Sequence, residues 1–232
     1  MSAPLNVLIV LTSHASLGDT GERTGFWLEE FTTPYYVFAD AGARITVASI
    51  KGGPVPIDAR SLAPAGENPQ SVERYLTDES LQAELQTTAV VDDVAADPYD
   101  VVFLPGGHGT MWDLPTSEGL GDLVSATLAR EAVVGAVCHG PAGLVNARDA
   151  DGRPVVAGRR VAAFTDSEEQ AAGLSEVVPF LLETRLRELG AEFENGPDFE
   201  PFAVADGTLV TGQNPASSSK VAELVLTTAR AR

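Results

Sequence analysis

The chain has one cysteine, Cys138, in 232 residues, so no intramolecular disulfide can form and nothing points to an oxidising compartment. Histidine is almost as scarce. His14, His108 and His139 are the only three, and with a single thiol they leave no spare His/Cys/Glu set for a metal, so neither a metal nor a cofactor is expected. Basic residues are few as well: 15 Lys and Arg stand against 33 Asp and Glu, a formal net charge of −18 spread along the chain without a long acidic run. That balance argues against nucleic acid or anionic lipid as a partner and reads as a solvated acidic surface. A long hydrophobic run is also missing. The opening stretch to Leu11 lacks the basic start of a signal peptide, and its apolar part is far shorter than the roughly 20 residues a membrane span needs. A cytoplasmic protein without a membrane partner is the expectation.

What is present is enough apolar material, 44% of residues, for one large α/β domain over 1–232. Nearly continuous apolar, β-branched runs recur at Asn6–Leu11, Arg44–Ser49, Val101–Leu104, Val133–Val137 and Arg160–Ala163, as in strands covered on both faces. Helical patterns lie between and after them at Gly25–Ala41, Ser80–Thr87, Leu120–Arg130, Ala142–Asn146, Ser175–Leu189 and Ser217–Ala229. The alternation predicts a mostly parallel sheet with helices on both faces. Asp206-Gly207 between two short apolar runs predicts a β-hairpin near the C-terminus, and the aperiodic, Gly- and Pro-rich Lys51–Gln70 predicts a long loop.

The lone cysteine stands where an apolar strand runs into Cys138-His-Gly-Pro141. Gly140 allows a tight backbone and Pro141 suits a first helical turn, so strand, elbow and helix start follow one another. Amides at such a start are expected to favour a thiolate and an oxyanion beside it. A second donor is expected from the strand ending in Gly106-Gly107, with His108 on the same loop. His139 is the candidate base, although adjacent turn residues usually project differently. Its orienting carboxylate would come from Asp166, Glu168 or Glu169, among which the sequence does not choose.

A further acid lies on the first predicted helix. At about 100° per residue, Trp27, Phe31, Pro34, Phe38 and Ala41 share a stripe; Glu30 falls at its edge and Glu29 outside it. An acid beside an apolar face is a candidate for a raised pKa and a proton-transfer role.

The elbow Ala136–Ala142, the loop Leu104–Thr110, Thr24-Gly25 with Glu30 and Pro34, Gly158–Asp166 and Val210–Ser217 together resemble the PfpI superfamily, in particular its glyoxalase III and heat-inducible chaperone branch. The resemblance implies a flavodoxin-like α/β sandwich and a homodimer. It also implies Cys138 as nucleophile, His139 beside it, Glu169 as the partner of His139, Glu30 sharing a proton with the thiol, and Gly107 and His139 amides at the oxyanion. The implied activity converts 2-oxoaldehydes such as methylglyoxal to D-lactate without glutathione; protein deglycase and chaperone activities are also implied. Alternatives are a PfpI-type peptidase or amidase and a thiol redox sensor. A glutaminase is excluded, because no His-x-Glu pair follows the cysteine.

Overall fold

In the computed structural model, which describes residues 3–232, Val7 through Leu11 are all wholly buried. Their alternation builds two layers: Leu8 and Val10 join the core on one face of the sheet, while Val7, Ile9 and Leu11 join the core on the other. A strand buried on both sides has no polar face, which is why its sequence reads as a continuous apolar run.

This strand, β1 (Asn6–Leu11), pairs in parallel with β2 (Arg44–Ser49) and β4 (Val101–Leu104); β2 also pairs with the short β3 (Ala89–Val90). β5 (Val133–Val137) extends the sheet beside β4. The expected hairpin closes it: β8 (Ala203–Asp206) runs antiparallel to β9 (Leu209–Gly212), and β9 lies parallel to β5. The order is β3-β2-β1-β4-β5-β9-β8. The predicted strand from Arg160 departs from this plan. Only Arg160–Val161 forms β6, which pairs with β7 (Glu192–Phe193) in a separate two-stranded sheet.

Helices cover both faces. α1 (Leu28–Asp40), α2 (Gln70–Leu76), α3 (Glu79–Glu84) and the last helix, α9 (Ser218–Arg230), cover one; α4 (Val91–Val94), α5 (Thr110–Asp113), α6 (Glu118–Ala129) and α8 (Leu182–Glu188) cover the other. α7 (Asp166–Ala171) follows β6. The predicted helix over Ser175–Leu189 is shortened at its start because Pro179 cannot donate within a helix. The pattern over Ala142–Asn146 is a short 3₁₀ segment, Gly140–Leu144. The result is the flavodoxin-like α/β sandwich, and no helix among the described residues is long and apolar enough to cross a membrane.

Candidate active site

β4 and β5 are neighbours, so the loops leaving their C-terminal ends meet above the sheet, where folds of this kind bind ligands. β5 ends at Val137, and Cys138 takes φ of 60°, a left-handed conformation uncommon outside glycine. The strain is held from both sides. Cys138 donates its N–H to the Gly212 carbonyl of β9 at 2.9 Å, and its own carbonyl accepts from Phe164 N–H at 2.9 Å. The turn brings neighbouring side chains to one side: Sγ lies 3.2 Å from His139 Nδ1. Gly140 can follow only as glycine, since a Cβ there would lie 2.0 Å from the Leu104 carbonyl oxygen.

On its far edge His139 meets a carboxylate, Nε2 to Glu169 Oε2 at 2.7 Å. Glu168, next door, serves elsewhere. Its oxygens accept from the N–H of Thr165 and Phe199 and from the side-chain amides of Gln213 and Asn214, tying α7 to the hairpin and its flanks. Asp166 faces outward to Thr184. The capping box of Thr165 and Glu168 sets the phase of α7, and that phase turns Glu169 inward. Burial alone would raise Glu169, but the charge of His139 and hydrogen bonds from His108 and His139 outweigh it and hold the carboxyl well below its usual range.

Glu30, in the first turn of α1, is wholly buried, while Glu29 is half-buried at the surface. The Gly106 N–H donates to Glu30 Oε2 at 2.7 Å. Gly106 was expected on the substrate side of its loop; its amide instead anchors this acid. Glu30 Oε1 has no protein hydrogen-bond partner, and the Glu30 carboxyl neighbours the thiol of Cys138. Burial pushes Glu30 well above the usual carboxylate range, against the opposing influence of the nearby Cys138 thiol and the Gly106 amide. Burial and the nearby Glu30 also push the thiol up, while the His139 amide acts the other way. Complete desolvation thus works against the thiolate that the amides at the start of the short 3₁₀ segment are expected to favour.

Gly107, at φ of 100°, turns the β4 loop so closely against α1 that a Cβ would meet Trp27 N at 2.4 Å. His108 follows on this loop, with Nε2 2.8 Å from Glu169 Oε1, and burial and neighbouring His139 lower it to about 4. Together Trp27, Arg60, Gly107, His108, Phe164 and Phe199 enclose Cys138 and His139 in a cavity of about 230 Å³. Arg60 comes from the aperiodic loop and Phe199 from the segment before β8; neither carries a sequence pattern that would single it out.

His108, His139 and Glu169 also place donor atoms within 4.8 Å of one another, a spacing that a metal ion can use. The sequence suggested no such set, because its members lie on two loops and on α7, which only the fold brings together. Both imidazole Nε2 atoms and both carboxylate oxygens are already satisfied by one another.

The model of the DJ-1/PfpI family matches residues 23–228. This chain belongs to the DJ-1/PfpI family. Within that family, glutathione-independent glyoxalase HSP31 of Saccharomyces cerevisiae is 32% identical over 95% of this chain and 96% of its own length. Glyoxalase 3 of Candida albicans is 31% identical over 96% and 97%. The crystal structure of the Candida glyoxalase III superposes with a TM-score of 0.88 at 30% identity, covering 97% of both chains.

Proposed function

We propose that this protein is a glutathione-independent glyoxalase that converts methylglyoxal and related small 2-oxoaldehydes to D-2-hydroxy acids. One observation carries the reading: a thiol stands between an imidazole nitrogen 3.2 Å away and a wholly buried carboxyl whose hold on its proton burial strengthens, inside a cavity of about 230 Å³. An isomerisation that moves protons between adjacent carbons needs such a pair, one group giving while the other takes. The names of the relatives from Saccharomyces and Candida support the same reading.

The sulfur attacks the aldehyde carbon, and the carbonyl electron pair moves to oxygen, which takes the proton of Glu30; the thiol proton passes to His139 Nδ1. Gly107 and His139 amides hold the oxygen while its charge develops. Glu169 stabilises the imidazolium. Glu30, now a carboxylate, removes the hydrogen of the attacked carbon as a proton, and the ketone oxygen takes the proton from His139, giving an enediol. The enediol hydroxyl then returns a proton to His139 while Glu30 protonates the second carbon, leaving a thioester. Water attacks that thioester, giving one proton to Glu30 as His139 returns one to sulfur, and the 2-hydroxy acid departs with all three groups restored.

Purified protein without glutathione is expected to form lactate from methylglyoxal, and Cys138→Ala none above the uncatalysed background. Equal lactate from both would overturn the reading. The reading includes a homodimer in the cytoplasm, checked by light scattering and by fractionation of expressing cells. A peptidase would need to seat an extended chain; the small, aromatic-walled cavity favours the smaller substrate.

A further inference from the structure

Arg60 reaches the cavity wall from the aperiodic loop, yet its charge is already committed. Its Nε donates to Asp58 Oδ1 at 2.9 Å and its Nη2 to Asp58 Oδ2 at 2.6 Å. Asp58 is wholly buried and also accepts from Thr24 Oγ1 at 2.8 Å and from the backbone N–H of residue 60 at 2.9 Å. A bidentate pair of this kind fixes the guanidinium plane and neutralises it locally, which disfavours a role in capturing an anionic substrate. The remaining contact points inward: Nη2 lies 3.3 Å from His108 Nδ1.

A guanidinium can only donate, so Nδ1 of His108 must accept. The ring proton therefore sits on Nε2, where it is donated to Glu169 Oε1 at 2.8 Å. The other oxygen of Glu169 meets His139 Nε2 at 2.7 Å. Two imidazoles thus share one carboxylate, their ring centroids 4.3 Å apart. If His108 were to charge, it would draw on the same negative charge that must stabilise the imidazolium of His139, and the two cations would repel.

We propose that Arg60, fixed by Asp58, is a positioning residue that acts through His108: its donor on Nδ1 keeps that ring neutral and protonated at Nε2, reserving the charge of Glu169 for His139. The groups facing His108 are Glu169, which favours its charging, and His139 and Arg60, which oppose it; burial opposes it most. Asp58, Glu22 and Glu169 all favour the charge of Arg60. This inference deepens the glyoxalase reading and rests on it for the turnover measurements alone.

The test is histidine nitrogen NMR on ¹⁵N-labelled protein, together with the pH profile of methylglyoxal turnover, for wild type, Arg60→Lys and Arg60→Met. Wild type should show His108 as the neutral Nε2–H form through mildly acidic pH, while Arg60→Lys, which keeps the charge but loses the bidentate pair with Asp58, should fall between wild type and Arg60→Met. In Arg60→Met the His108 titration should rise by about one unit, giving roughly tenfold more imidazolium at a given mildly acidic pH. Turnover should then fall on the acid limb through kcat, with KM unchanged. An unaltered His108 spectrum in Arg60→Met would overturn the proposal, as would a raised KM with kcat intact, which would place Arg60 on the substrate itself. The spectra need no substrate. Protein that shows the expected spectra but forms no lactate would refute the glyoxalase reading and leave this relay standing.

Discussion

Glu30 sets two properties of the molecule against each other. A buried carboxyl whose pKa is raised in the folded state keeps its proton where the unfolded chain has already lost one. Its stabilising contribution is therefore full below the ordinary carboxylate pKa and is lost as pH rises towards the folded value. Glu30→Gln keeps the shape and removes the titration, so thermal melts should show less loss of stability between mildly acidic and neutral pH than wild type. The same change deletes the proton carrier, and turnover should drop by roughly a hundredfold or more. Glu29→Gln, on the half-buried outer edge of α1, should leave kcat close to wild type. Equal losses in the two variants would show that Glu30 is not the acid of the reaction.

At the scale of elements, the elbow between β5 and the Gly140–Leu144 turn is a join with no room for a side chain. Gly140→Ala would drive a methyl group towards the Leu104 carbonyl, backbone against backbone, and should destabilise the fold by about 1–3 kcal/mol in denaturant titration while displacing His139. An unchanged midpoint would mean that the join relaxes freely. The strands β1, β2, β4 and β5 were legible in the sequence to the residue: β4 and β5, and β1 after Asn6, because burial on both faces leaves an unbroken apolar signature, and β2, exposed at Arg44, from its β-branched Ile45, Thr46 and Val47. The inward phase of Glu30 was legible from the apolar stripe of α1 despite Pro34, which lies inside the helix. β6 was misplaced because its apolar run satisfies either sheet, and the choice is made by the distant β7. The division of labour between Glu168 and Glu169 was invisible from spacing alone. It depends on side-chain amides of Gln213 and Asn214, far along the chain. Asp58 and Arg60 went unnoticed for the same reason, lying in a stretch without periodicity.

For the whole molecule the dominant long-range quantity is the charge of −18. Ion pairs such as Arg74 with Asp40 and Arg187 with Glu183 are solvent-exposed and offset little of the self-repulsion. Raising the ionic strength from about 0.01 M to about 0.15 M shortens the screening length from about 30 Å to about 8 Å. The thermal midpoint should rise over that range; a flat response would show that the acidic groups are already far enough apart to ignore one another. The clamp on Cys138 has a consequence for biosynthesis. The amide of the reactive residue is held by Gly212, on a strand that leaves the ribosome long after the elbow itself. A chain that has made only β1 to β5 thus lacks the acceptor that holds the elbow, and the geometry of the site is complete only with the final hairpin.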